Sequence, residues 1–223
     1  MSEFIEQKQK LADLYLQAKY AGNQKIVDAF LKVPRESFVL SSDSYRAYQD
    51  TPLPLMKGQT ISAPHMCILI LTYGKFEPGQ LVLEIGIGSG YQSALIAELI
   101  GPTGHVYGIE LVDELAEFGM RNLEKTGYSN NVTIIAGDGT MGWPEAENIP
   151  PFDRIVITAA GPQVPPPLIK QLKIGGYLYM PLGQPGRSQE WIQVEKISSE
   201  EIRQRTLTTV LFVPLLGEYG NPE

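Results

Sequence analysis

Residues 81–91 read Leu81-Val82-Leu83-Glu84-Ile85-Gly86-Ile87-Gly88-Ser89-Gly90-Tyr91. The first five residues predict a buried strand, and a helix is predicted to follow the turn directly, from Tyr91 to Ile100. Glycine has no Cβ, so the three glycines of the turn can take backbone angles closed to other residues and let a ligand lie against the main chain. The stretch therefore predicts a cofactor-binding βα unit.

The glycine spacing indicates the class of cofactor. The dinucleotide fingerprint has another glycine three positions after its second one, where the helix opens close to a pyrophosphate. That position is Tyr91 in this chain. The turn is therefore typical of a site for a cofactor without phosphate groups, such as S-adenosylmethionine.

Acidic residues follow the next two predicted strands. Glu110 closes a strand that begins at His105, and Asp138 follows the strand from Val132 to Ala136. A carboxylate after the second strand can accept hydrogen bonds from both ribose hydroxyls, and one after the third can reach the adenine amino group. Asp138 fits equally well as the cap of the next helix. The sequence predicts that Glu110 and Asp138 bind the nucleoside.

Alternating strands and helices predict an α/β fold. We expect strands at 81–85, 105–110, 132–136, 154–158 and 177–181, with helices at 91–100, 113–126 and 166–172. Such units form a doubly wound, mostly parallel sheet covered by helices. Two helices broken at Gly22-Asn23 are expected within 3–31, and an antiparallel β segment at 191–197 and 206–213. We expect one domain over 1–223, with N-terminal helices and a substrate loop (1–78), a cofactor-binding core (79–183) and a C-terminal β segment (184–223).

Composition disfavours several classes of protein. The chain has 25 acidic residues against 18 Lys and Arg, a net charge of −7, and no Lys/Arg cluster, which argues against nucleic acid as a partner. No apolar stretch approaches the roughly 18 to 20 residues that span a bilayer. The N-terminus lacks a signal-peptide pattern, and the single cysteine cannot form an internal disulfide, so we expect a cytoplasmic location and no membrane partner. Two separated histidines and one cysteine do not predict a metal site. A monomer is favoured.

Several motifs together resemble one enzyme family. The distinctive one is Gly58-Gln59-Thr60-Ile61-Ser62-Ala63-Pro64-His65-Met66, which follows Pro52-Leu53-Pro54. The others are Val33 to Val39, Leu83 to Tyr91, Gly137-Asp138-Gly139 and Phe212-Val213-Pro214-Leu215. These segments resemble protein-L-isoaspartate O-methyltransferases, a family with the class I S-adenosylmethionine-dependent, Rossmann-like fold, in which the last segment is a C-terminal strand. Ile87 and Gly161 depart from the family pattern, and residues 187–205 match it weakly.

The resemblance implies an activity. It implies methyl transfer from S-adenosyl-L-methionine, leaving S-adenosyl-L-homocysteine, to the α-carboxyl of L-isoaspartyl residues in damaged proteins and peptides, which starts repair through a succinimide. Ser62 would be the active-site residue. The cofactor would be bound by Thr60, Ile61, His65, Glu84, Gly86, Gly88, Gly90, Glu110, Leu111, Asp138 and Gly139. The substrate would be held by Pro54, Gln59, Val213 and Leu216.

Other interpretations of these residues remain open. Ser62 also fits the N-cap of the helix that Pro64 opens, and His65 fits an ordinary first-turn residue. Cys67 fits as a small core residue. A class I methyltransferase acting on a small molecule or RNA would share the cofactor residues without needing the motif at 58–65. A non-enzymatic adaptor with this fold is a further alternative, although the presence of Ser62, Glu110 and Asp138 argues against it.

Overall fold

The computed structural model describes residues 3–144 and 149–222. Two short strands, β1 (Leu53–Pro54) and β2 (Thr60–Ile61), form an antiparallel hairpin. The remaining strands form one seven-stranded sheet. They are β3 (Leu81–Ile85), β4 (His105–Glu110), β5 (Val132–Ala136), β6 (Phe152–Ile157), β7 (Leu172–Leu182), β8 (Gln189–Lys196) and β9 (Ile202–Val210). The helices are α1 (Glu3–Gln17), α2 (Gln24–Lys32), α3 (Pro64–Gly74), α4 (Tyr91–Ile100), α5 (Asp113–Thr126) and α6 (Pro166–Gln171).

The order of the strands places β3 at the centre of the sheet. The order is β5-β4-β3-β6-β7-β8-β9, parallel from β5 to β7 and antiparallel from β7 to β9. The chain runs outward from β3 through β4 to β5, then returns to add β6 on the other side of β3. Ligands of open α/β sheets bind at such a switch point, outside the carboxyl ends of the strands. The glycine turn after β3 lies there, as predicted.

The N-terminal helices form a layer against α3 and α4. The predicted break is confirmed, because Asn23 caps α2 by accepting the N–H of Ile26 at 3.2 Å. The apolar face of α2 buries Phe30 completely, and the Phe30 ring packs edge-on against Tyr15 of α1. This layer covers the segment that leads to β1 and β2. No described helix is both long and apolar enough to span a membrane.

Strand boundaries in the last third of the chain differ from those predicted. β7 begins at Leu172 and passes through Gly175, whose φ of 80° accommodates an irregular pairing with β6. Gly175 and Gly176, which lie between the helix predicted at 166–172 and the strand predicted at 177–181, are therefore inside β7. β9 begins at Ile202 rather than at Thr206, because its exposed, polar residues resemble a loop when only the sequence is read.

The predicted C-terminal strand around Val213 is reduced to one β-bridge. The N–H of Ala160 donates to the Val213 carbonyl at 2.7 Å, and the N–H of Leu215 donates to the Ala160 carbonyl at 2.8 Å. Pro214 lies between them and has no N–H, so it cannot donate to a longer ladder. The expectation of a strand here was wrong, but the bridge fixes this segment beyond the end of β6.

Candidate active site

A cleft of about 890 Å³, including its part open to solvent, lies at the carboxyl edge of the central strands. Its wall combines the turn after β3, the end of β4, the hairpin β1–β2 and the segment after β9. Among the predicted site residues it contains Gln59, Thr60, Ile61, Ser62, Glu84, Gly86, Gly88, Glu110, Leu111, Gly139, Val213 and Leu216. Residues that are far apart in the sequence therefore share one cleft.

Thr158, the residue directly after β6, contacts the backbone of the glycine turn. Gly86 has a φ of 83°, and a Cβ there would lie 2.9 Å from the hydroxyl of Thr158. That hydroxyl lies within hydrogen-bonding distance of the carbonyl oxygens of Ile85 and Gly86, at 3.1 and 2.6 Å. The resulting path of the main chain leaves room for a ligand beside the turn.

Glu110 is prepared for ligand binding by two backbone donors. One carboxylate oxygen accepts the N–H of Gly88 at 2.8 Å, and the other accepts the N–H of Val112 at 3.1 Å. A carboxylate has about four lone-pair sites, so each oxygen can accept a further hydrogen bond. The arrangement fits the predicted contact with two ribose hydroxyls.

Glu84 is a fully buried acid among the residues that line the cleft. Its Oε2 accepts a hydrogen bond from the Ser93 hydroxyl, while Oε1 has no partner among the described residues. Burial raises the pKa of Glu84 to about 8, more than the Ser93 hydrogen bond lowers it, and the negative charge of Glu110 contributes to the increase. Ionising the buried Glu84 carboxyl costs free energy, and a cationic ligand group would offset that cost by pairing with the ionised carboxylate.

Ser62 lies between β2 and α3 and does not cap the helix. α3 begins at Pro64 with Ala63 as its N-cap, so the interpretation of Ser62 as the helix cap was wrong. The physical reason is Pro64, which is favourable at the first helical position and so sets the cap at the residue before it. Ser62 is among the residues that line the cleft instead.

Arg35 holds the backbone of Ser62 by a hydrogen bond to its carbonyl. This arginine is fully buried, and its Nη2 donates to the Ser62 carbonyl at 2.7 Å while Nε donates to the Ala47 carbonyl at 2.8 Å. Its guanidinium also lies over the Tyr91 ring, 4.9 Å from the centroid. Sequence reasoning did not assign a role to Arg35, although its place in the segment 33–39, which resembles the family pattern, is a signal that could have been used.

Four predicted site residues do not line the cleft: Pro54, His65, Gly90 and Asp138. The His65 ring and its backbone N–H both contact Asp50, at 2.8 and 3.0 Å. Asp138 accepts from the N–H and hydroxyl of Thr140, at 2.8 and 2.7 Å, and from the N–H of Glu218 at 2.7 Å. Asp138 thus caps a short turn, as its alternative interpretation had it. Contacts of these residues with a cofactor stay predictions.

The described side chains fit the expected cofactor. The cleft is lined by an open glycine turn, by a pre-oriented carboxylate for a ribose, and by residues with buried polar atoms that lack partners. The cofactor S-adenosylmethionine carries hydroxyls, a carboxylate and an ammonium, which are groups that such atoms can bind. Within residues 3–144 and 149–222, no group of three His, Cys, Asp or Glu side chains is arranged to hold a metal ion.

Comparisons with known proteins agree with this geometry. Residues 6–220 match the model of the protein-L-isoaspartate(D-aspartate) O-methyltransferase family. A protein-L-isoaspartate O-methyltransferase of Hyperthermus butylicus is 46% identical over 97% of this chain and 91% of its own length. One from Methanothermobacter thermautotrophicus is 43% identical over 97% and 98% of the two chains.

Solved structures give the same result. A protein-L-isoaspartate O-methyltransferase structure has a TM-score of 0.85 and 31% identity, covering 96% of this chain and 67% of its own. A structure from Plasmodium falciparum, described as a complex with S-adenosyl-L-homocysteine, has a TM-score of 0.83 and 25% identity over 94% and 98% of the two chains. The fold of the chain is that of S-adenosylmethionine-dependent methyltransferases.

Proposed function

Because the chain belongs to the protein-L-isoaspartate(D-aspartate) O-methyltransferase family, we propose that it methylates the α-carboxyl of L-isoaspartyl residues in damaged proteins and peptides. S-adenosyl-L-methionine is the methyl donor and S-adenosyl-L-homocysteine the product. The observation that carries the proposal is the position of Ser62 in the wall of the same cleft as the glycine turn and Glu110. The hairpin β1–β2 and the motif at 58–65 build this wall.

The reaction needs alignment more than acid or base catalysis. When bound, the cofactor supplies a methyl group on a positively charged sulfur. A substrate carboxylate with a pKa near 4 is already ionised at neutral pH, so it can attack without a general base. Holding the reacting oxygen, methyl group and sulfur in line can lower the barrier by roughly 7 to 11 kcal/mol in favourable cases. This explains an active site built from serine, glycine and backbone groups.

Each part of the cleft wall has a role in this alignment. Glu110 holds the ribose, and Glu84 binds the amino-acid end of the cofactor. Ser62 donates a hydrogen bond that orients the attacking carboxylate, and Arg35 holds the backbone of Ser62 in place. Val213 and Leu216 contact the peptide near the bridge to Ala160.

Methylation makes repair possible because the methoxy group of an ester is a better leaving group than the oxygen of a free carboxylate. After transfer, the backbone amide nitrogen on the carboxyl side of the isoaspartyl residue attacks the ester carbonyl. Methanol leaves and a succinimide forms. Water then opens the ring at either carbonyl, and one of the two products is a normal aspartyl residue. The enzyme is needed only for the first step.

A methyltransferase for a small molecule or RNA is the rival assignment. A net charge of −7 gives no electrostatic support for RNA as a substrate. We further propose that the protein acts as a single-domain monomer in the cytoplasm. Two observations support this: the described residues of one chain bring the glycine turn, Glu110 and Ser62 into one cleft, and Cys67 is buried without a disulfide partner.

The proposal is tested with two peptides that differ at one residue. We expect label from methyl-labelled S-adenosylmethionine to reach a peptide with L-isoaspartate and not its twin with normal aspartate. The labelled ester should release methanol in base. Equal labelling of both peptides, or label found only in RNA or in a metabolite, would contradict the proposal.

A further inference from the structure

Several buried polar atoms in the cleft have no hydrogen-bond partner within the described part of the chain. They are Oε1 of Glu84 and both Nε2 and Oε1 of Gln92. Both residues line the cleft. A buried polar atom without a partner costs about 1 to 3 kcal/mol, and native proteins keep few of them. Atoms of this kind in a cleft wall point to a ligand that completes their hydrogen bonds.

Gln92 differs from Glu84 because its whole functional group is unpartnered. Its side chain is only 7% exposed, so water contacts little of the carboxamide. Placing the carboxamide of Gln92 among apolar side chains would cost free energy, because its donor and acceptor would have no partners there. Lining the cleft therefore gives its donor and its acceptor a place to be used.

The location of Gln92 favours a ligand with a negative group. Gln92 lies in the first turn of α4, which follows Gly90 and has no side-chain cap. The first N–H groups of a helix lack partners within the helix, and the positive end of its dipole attracts anions. The Nε2 group of Gln92 adds a donor at the same end.

Glu84, on the preceding strand β3, favours a ligand with a positive group. Ser93, the next residue after Gln92, donates its hydroxyl to Glu84, which ties the start of α4 to the acid. The free Oε1 of Glu84 is an acceptor suited to an ammonium group. One small region of the cleft therefore presents donors for a carboxylate and acceptors for an ammonium, which is the pattern of a free α-amino acid.

We propose that Gln92 is a binding residue for the α-amino-acid end of the cofactor, with its Nε2 group donating to the α-carboxylate. The inference rests on the proposed function, because it takes S-adenosylmethionine to be the ligand of this cleft. The carboxylate of the isoaspartyl substrate is the alternative occupant. It is disfavoured because it brings no ammonium group to the unpartnered Oε1 of Glu84.

The test uses two ligands that differ only in the group concerned. S-adenosylhomocysteine carries the amino-acid end, whereas 5′-methylthioadenosine keeps the nucleoside and the sulfur without it. In titration calorimetry, Gln92→Leu should weaken S-adenosylhomocysteine binding roughly tenfold to a hundredfold, the range for a lost hydrogen bond to a charged group. Binding of 5′-methylthioadenosine should change less than about twofold, since a contact with the missing group cannot contribute.

Thermal unfolding gives a second readout. Because Gln92→Leu replaces an unpartnered buried amide by an apolar group of similar size, the ligand-free variant should be at least as stable as the wild type. The stabilisation produced by saturating S-adenosylhomocysteine should shrink. Gln193→Leu is the matched control, since Gln193 is 6% exposed on β8 and donates to Tyr179 outside the cleft. It should leave both affinities unchanged.

The outcomes separate this inference from the proposed function. If the wild type failed to bind S-adenosylhomocysteine, the proposed function itself would fail. If the wild type bound it and Gln92→Leu bound it equally well, only the role of Gln92 would be overturned. Equal weakening of both ligands would also overturn it, because Gln92 would then support the shape of the turn. Unchanged ligand binding with a higher KM for the isoaspartyl peptide would assign Gln92 to the substrate.

Discussion

The buried carboxyl of Glu84 should make the stability of the ligand-free protein decrease as the pH rises. The residue is fully buried, and burial raises its pKa from the ordinary 4.5 to about 8. In the unfolded chain the carboxyl loses its proton near its ordinary pKa, whereas the folded protein keeps the proton up to about pH 8. Folding therefore takes up a proton between these values, and stability falls with pH through this window and is level above it.

The size of the effect follows from the two pKa values. One pKa unit corresponds to about 1.36 kcal/mol, so the whole window represents roughly 5 kcal/mol, of which about 3 kcal/mol is lost by pH 7. Glu84→Gln removes the titration. It keeps an oxygen that can accept from the Ser93 hydroxyl. Between about pH 5.5 and about pH 8.5, the variant should therefore gain roughly 3 kcal/mol in stability relative to the wild type.

Urea unfolding of both proteins at several pH values measures this gain. Other titrating groups affect both proteins alike, so the difference between them isolates Glu84. The exposed Ser41→Ala is the control, because it changes no titratable group, and it should show a difference that does not vary with pH. A constant difference for Glu84→Gln as well would refute the reasoning that this buried carboxyl is protonated at neutral pH.

Three further changes test other parts of the site and the fold. Ser62→Ala should lower turnover by on the order of tenfold to a thousandfold and leave the melting temperature and the S-adenosylhomocysteine affinity unchanged. The exposed Ser41→Ala is the control and should change none of these three quantities. A wild-type rate in Ser62→Ala would remove Ser62 from the chemistry. Glu110→Ala should weaken S-adenosylhomocysteine binding roughly tenfold to a hundredfold in calorimetry, and unchanged affinity in the folded variant would exclude Glu110 from the site. Lys196→Met should cost about 3 kcal/mol in urea unfolding, because the buried ammonium donates to three backbone carbonyls around the end of α6; an unchanged midpoint would show that these bonds contribute nothing.

The sequence alone determined the features that depend on neighbouring residues. The apolar run into Gly86, Gly88 and Gly90 predicted a strand, an open turn and a helix, because the steric freedom of glycine and the hydrophobic period are local properties. The alternation of strands and helices then predicted the parallel sheet. Glu110 could be assigned to the cleft since the carboxyl ends of parallel strands meet at one edge.

Only the tertiary structure decided which polar groups face the cleft and which are used elsewhere. The contacts of His65 with Asp50 and of Asp138 with Glu218 join residues 15 and 80 positions apart, and no local pattern predicts them. The buried Arg35 behind Ser62 and the unpartnered amide of Gln92 depend in the same way on what packs around them. The physical reason is that burial and hydrogen-bond partners are set by long-range packing, whereas turns and hydrophobic periods are set by the sterics and polarity of adjacent residues.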